Sequence, residues 1–203
     1  LKICRFFNIK KRLVDNITYN LDLNNILLIS QKYNDISSLE QSECKIFSQN
    51  GEDGILDYII TRLEIKRPNF IEIGVGNYTE ANTRFIYDRF APKGIIIDFE
   101  KNLTNKVLSN VNSWKGDLRI LEKKISTDNI NDIISKNCDF NIDIFSLDID
   151  SIDYWIIDKL NSNISKIFVA EYNSTFGSSL ELTVPNLENF DRKDYHYSHL
   201  CYG

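Results

Sequence analysis

The 203-residue chain has no methionine, two histidines, two tryptophans and only eight glycines, none of them in the first 42 residues. It begins at Leu1. With methionine absent, we read the sequence as trimmed or incomplete at that end. The stretch 1–14 is basic and partly apolar, but it lacks the continuous apolar segment of a secretory signal. No apolar run approaches the roughly 20 residues that span a bilayer, so a transmembrane segment is not expected. The core carries no basic block and the formal net charge is -5, which argues against a duplex nucleic-acid partner. Cys4, Cys44, Cys138 and Cys201 have no metal-type spacing. They read as scattered thiols of a reducing, cytoplasmic compartment rather than as a disulfide framework. Internal repeats are absent.

What is present is ample apolar material. Hydrophobic residues make up 42% of the chain, enough for one domain of ordinary size plus an extension. Residues 1–42 are polar with weak helical periodicity and read as an N-terminal helical extension. Its first stretch is either a solvated amphipathic helix or a membrane-surface or partner contact. Residues 43–203 alternate strand and helix patterns, the signature of an α/β domain with a parallel sheet. Helices are expected at 52–63, 81–90, 128–135 (capped by Thr127 or Asp128) and 154–160. Strands are expected at 70–73, 95–98, within 118–125, at 142–148 and at 167–170.

Phe70-Ile71-Glu72-Ile73-Gly74-Val75-Gly76-Asn77 carries most information. An apolar strand runs into a Gly-x-Gly turn, a helix follows, and the next strand, Ile95-Ile96-Ile97-Asp98, ends in a carboxylate. That is how an open parallel sheet holds a nucleoside, with the acid on the ribose hydroxyls. Glycines let backbone come close to a ligand. The third glycine of a dinucleotide fingerprint is missing; Thr79 stands there. The carboxylate of Glu72 before the first glycine suits a ligand with a cationic amino-acid end. S-adenosylmethionine (SAM) has one and NAD does not.

The fourth strand runs out through Leu147-Asp148-Ile149-Asp150-Ser151-Ile152-Asp153. Residues two apart on a strand share a face, so Asp148 and Asp150 are expected on one side, at the ligand-binding end of the sheet. The fifth strand ends Ala170-Glu171-Tyr172-Asn173 and should lie beside the fourth. Crowded carboxylates need a cation, a donor or a proton. The cation could be Mg²⁺, which prefers oxygen ligands, or the charged end of SAM; alternatively one carboxylate is a general base. The bland alternatives are helix capping by Asp150 or Ser151, and Asp153 against the helix dipole. In Phe47-Ser48-Gln49-Asn50-Gly51-Glu52-Asp53-Gly54, either Ser48 or Asn50 caps the next helix or the backbone N–H groups receive a ligand carboxylate. His196 and His199 are either bases near neutral pH or solvated loop residues.

These motifs, in this order over residues 47–203, resemble bacterial SAM-dependent methyltransferases related to the FkbM type, found among surface-glycan genes. The segments 47–54, 70–83 and 146–155, Glu171-Tyr172-Asn173-Ser174-Thr175-Phe176-Gly177 and His196-Tyr197-Ser198 carry the resemblance. It implies a Rossmann-like class I methyltransferase sheet whose last two strands are not written before Gly203. It also implies a SAM site with Glu72 facing the amino end, Gly74 and Gly76 beneath, Asp98 on the ribose, Ile125 and Ser126 beside adenine, and Asp148 close to the ligand. The fourth and fifth strand ends further resemble metal-dependent sugar O-methyltransferases acting on macrolides and aminocoumarins. That likeness implies Mg²⁺ on Asp148 and on acids after the fifth strand, where this chain has Glu171 and Tyr172 with Asn173 close by in place of a second acidic pair, and it implies Asp150 as base; His196, read as a loop histidine, is the runner-up base. The expected activity is O-methylation of a sugar or nucleotide-linked sugar in surface polysaccharide (capsule) biosynthesis. Two alternatives stand beside it: an acceptor that is a phosphate or phosphoramidate oxyanion, and a non-catalytic SAM- or nucleotide-binding module. A homo-oligomer stays open.

Overall fold

The computed structural model describes residues 24–31, 33–172, 180–187 and 190. Five strands form one all-parallel sheet. They are β1 (Phe70–Ile73), β2 (Lys93–Asp98), β3 (Asp117–Glu122), β4 (Ile144–Leu147) and β5 (Ile167–Ala170), in spatial order β3-β2-β1-β4-β5. Helices α1 (Glu52–Arg62), α2 (Arg84–Phe90), α3 (Leu103–Asn110), α4 (Ile130–Asn137) and α5 (Asp153–Lys159) precede or link the strands. The fold is a Rossmann-like α/β arrangement.

The two apolar clusters show why these segments pair. Strands buried on both faces read as continuous apolar runs. Phe70, Ile96 and Ile144 face one cluster, closed by Leu56 and Ile60 of α1, Phe85 and Ile86 of α2, and Leu103 and Val107 of α3. Ile71, Ile73, Ile95, Ile97, Phe145 and Leu147 face the other, closed by Ile130 and Ile133 of α4 and Ile152 and Ile156 at α5. Helices therefore cover both faces.

The described part of the N-terminal extension belongs to the first cluster. Residues 24–30 are helical, and Ile26 is completely buried there. Tyr33 donates its hydroxyl to Asp57 at 2.8 Å, and Arg89 pairs with Asp57 at 2.8 Å. Burial, more than the Arg89 charge offsets, holds the Asp57 carboxyl above its ordinary range. Among the described residues no helix is long and apolar enough to cross a membrane.

Two expectations need correction, and one helix is added. α2 begins at Arg84, not at 81, because residues 77–83 form a turn region held from below. α4 begins at Ile130 with Asn129, not Thr127 or Asp128, at its N-cap. The Asn129 amide instead accepts the Ser126 N–H and donates to the Lys124 carbonyl. α3 is an additional helix. Within its mostly polar text it buries Leu103 and Val107, four residues apart.

Candidate functional site

The sheet order reverses between β1 and β4; in open parallel sheets the ligand crevice lies at the carboxyl ends of the strands at such a point. The glycine turn borders it. Gly74 and Gly76 both have positive φ, 86° and 53°, and they differ in surroundings. A Cβ on Gly74 would lie 1.6 Å from the Asp148 carbonyl oxygen, whereas one on Gly76 would meet nothing within 4 Å. Gly74 is a packing glycine and Gly76 an open one.

Asp98 closes β2 beside the glycine turn. Its Oδ2 accepts the Gly76 N–H and its Oδ1 accepts the Glu100 N–H, each at 2.8 Å. The acid is thereby fixed at the lip of the turn, half-buried. Phe99 beside it is 74% exposed, an aromatic face that the sequence reading passed over. The signal was its place directly after the strand-end acid. Next to the turn runs a polar cleft of about 500 Å³ lined by Asn77, Glu100, Lys106, Ser109 and Asn110.

Glu72 is turned away from the crevice. It is 3% exposed. One oxygen accepts the Asn82 N–H at 2.9 Å; the other accepts the Thr83 N–H at 3.0 Å and the Thr83 hydroxyl. Burial holds its carboxyl above the ordinary range, with the nearby Asp148 charge adding and the Thr83 and Asn82 donors opposing. Glu72 thus organises the loop from beneath and does not face a ligand's amino end. Asn82 extends the loop's anchorage to β4 by donating to the Ser146 hydroxyl at 3.1 Å.

Ile125 is likewise reassigned. β3 ends at Glu122, so Ile125 lies in the loop beyond and packs into the core at 7% exposure. It offers no open face to adenine, while Ser126 remains half-buried at the loop.

Across the crevice, Asp148, Asp150 and Glu171 converge, with one carboxylate oxygen from each within 4.8 Å of the others. The route differs from simple strand alternation. β4 ends at Leu147, and Asp150 is left-handed at φ 57°, so a turn rather than a shared strand face brings the two aspartates together. Asp153 accepts the Ile149 and Ser151 N–H groups at 2.9 and 3.0 Å. Two later described residues also reach this region: the Val184 carbonyl accepts from the Trp155 indole at 2.7 Å and the Phe190 carbonyl from the Ser151 hydroxyl at 3.2 Å. Asn173, His196 and His199 lie outside the described residues. The trio therefore includes Asp150, which the sequence reading set apart as a base.

The motif at 47–54 is closed on itself. Asp53 is completely buried, and its Oδ2 accepts the Ile46, Phe47 and Ser48 N–H groups at 2.6–2.8 Å. The chain's own carboxylate fills the place considered for a ligand's. Ser48 returns the contact by accepting the Asp53 N–H at 3.1 Å, while Gly51, not Asn50, holds the N-cap of α1. Models of known protein families and curated protein sequences give no match to this chain.

Proposed function

We propose that the protein is a SAM-dependent O-methyltransferase whose acceptor is a hydroxyl of a sugar or nucleotide-linked sugar, acting in surface-glycan biosynthesis in the cytoplasm. One observation carries the reading. A ribose-type acid, Asp98, is fixed on the open glycine turn, and three carboxylates converge at the ends of the adjoining strands β4 and β5.

The turn favours this ligand over a dinucleotide. In a dinucleotide site the helix starts at the glycine loop and its N–H groups take the pyrophosphate. Here α2 starts at Arg84, and the N–H groups just before it are already bonded to Glu72. A buried carboxylate beneath the turn also disfavours an anion above it and suits a ligand bearing positive charge.

The residues fit the cofactor: Gly76 leaves open space over the turn, Asp98 offers oxygens to ribose hydroxyls, and Phe99 offers an exposed ring to adenine. SAM, when bound, supplies an activated methyl group. The protein's task is then alignment, which can contribute about 7–11 kcal/mol. Asp150 accepts the proton of the acceptor hydroxyl, help of roughly 10²–10⁴-fold. Asp148 and Glu171, with Asp150 beside them, are hard oxygen donors of the kind that hold Mg²⁺; such an ion would anchor acceptor hydroxyls.

Calorimetry with S-adenosylhomocysteine and NAD, followed by a mass-spectrometric screen of nucleotide-linked sugars with SAM, tests the proposal. We expect binding of the first ligand only and the gain of one methylene mass on an acceptor. Tight NAD binding without a response to S-adenosylhomocysteine would sink it.

A further inference from the structure

Past Leu147 the main chain leaves β4 and turns through Asp148, Ile149, Asp150 and Ser151 into α5. Within that turn Asp150 holds φ at 57°. Aspartate enters this left-handed region more readily than most residues, and here its neighbours' bonds hold it there. The Asp153 Oδ1 accepts the N–H of the residue before Asp150, and its Oδ2 accepts the N–H of the residue after it. The two bonds bracket Asp150. Asp153 is itself immobilised: it is 3% exposed and opens α5, whose Ile156 is fully buried in the core.

We propose that Asp153 is a positioning residue for methyl transfer: its carboxylate clamps the Ile149–Ser151 turn and so aims Asp150 at the acceptor hydroxyl. This rests on the O-methyltransferase reading with Asp150 as base. Misplacing a reacting group by about 1 Å can cost on the order of 10²-fold in rate, so a clamp that acts only on the turn should appear in turnover before it appears in cofactor binding.

Two variants grade the clamp. Asp153→Asn keeps one acceptor oxygen and Asp153→Ala keeps none. With the full chain, SAM and a panel of nucleotide-linked sugars, we expect kcat to fall about 10-fold in the first and about 100-fold in the second. The fraction of chains binding S-adenosylhomocysteine should stay at the unsubstituted level in both, with Kd within about threefold. A merely structural defect would lower that binding fraction in step with kcat, and this result would overturn the proposal. Unchanged kcat in Asp153→Ala overturns it too. If both variants lose cooperative unfolding, Asp153 serves the whole fold and the positioning role falls. Absence of turnover by the unsubstituted chain with every acceptor strikes the methyltransferase reading itself, and the positioning role falls with it.

Discussion

Gly74 is pressed against the main-chain carbonyl of Asp148, so closely that a Cβ would sit 1.6 Å from that oxygen. The contact joins the ends of β1 and β4, where Asp148 also donates its N–H to the Ile73 carbonyl at 3.0 Å. The first glycine of the turn therefore seats the neighbouring strand's exit, and the second faces the crevice.

The two glycines should respond differently to a methyl group. Gly74→Ala must displace backbone and accept a φ near 86°, combining overpacking of about 1–3 kcal/mol with a left-handed cost of about 1–2 kcal/mol. Gly76→Ala meets open space and bears only the second cost. Urea unfolding midpoints should show a clearly larger loss for Gly74→Ala. Equal losses would mean that β4 does not rest on Gly74.

Asp98→Ala removes the acceptor for two backbone N–H groups and for the proposed ribose hydroxyls. We expect S-adenosylhomocysteine affinity to drop by about 1–3 kcal/mol, the scale for hydrogen bonds to a charged group. Calorimetry on the variant beside the unsubstituted chain measures it. An unaltered Kd would place the nucleoside elsewhere.

Much of the architecture was legible because its strands are short apolar runs buried on both faces. Phe70–Ile73 and Ile144–Leu147 are buried at every position, and such runs bounded by polar loops are hard to misread. α3 went unread although Leu103, Val107 and Val111 recur every four residues and all reach the core, because the residues between them are mostly polar. At the site, the types and order of acidic residues could be read, but not their directions. Strand alternation placed Asp148 and Asp150 on one face; the chain leaves the strand at Leu147, and their meeting depends on a left-handed turn. Glu72 looked like a ligand-facing acid, and only the loop through Asn82 and Thr83 shows that its partners lie inside. Asp148 and Asp150 do come together, by a local turn instead of a strand face, whereas the direction of Glu72 is set by a loop ten residues on that strand spacing does not encode.

Tyr33→Phe isolates the bond that ties the N-terminal segment to the domain. Its hydroxyl reaches Asp57, a fully buried carboxylate shared with Arg89. Losing a hydrogen bond to a buried charged acceptor should lower stability by about 1.5–3 kcal/mol. Thermal unfolding of the full chain checks this, and an unshifted transition would show that Arg89 alone satisfies Asp57.

Glu72 gives stability a distinctive pH dependence. Its folded pKa lies above the ordinary glutamate value of about 4.3. Below that ordinary value the group is protonated in both states and its favourable contribution is complete. As pH rises through the folded pKa, the native protein must ionise a buried group, and the contribution is lost. Glu72→Gln cannot ionise. The stability of the unsubstituted chain relative to this variant should therefore rise as pH falls from neutrality toward about 4.3. Asp53 and Asp57 are shifted upward as well, and taking the difference between the two proteins cancels their share. Urea titrations at a series of pH values give the result; a difference that shrinks toward acid would mean that Glu72 is stabilised as the anion.

Asp150→Asn separates proton transfer from ion binding. The amide keeps the shape and one oxygen donor but cannot accept a proton. If Asp150 is the base for a sugar hydroxyl, kcat should fall by about 10²-fold or more while S-adenosylhomocysteine affinity holds. If Asp150 acts chiefly as a third carboxylate for Mg²⁺ beside Asp148 and Glu171, excess Mg²⁺ should restore most of the lost rate, and exhaustive chelation should abolish turnover by the unsubstituted chain. Near-normal kcat in Asp150→Asn, with turnover insensitive to chelation, would remove both roles. The acceptor would then be an oxyanion that is already ionised and needs neither a base nor a metal to expose its nucleophile.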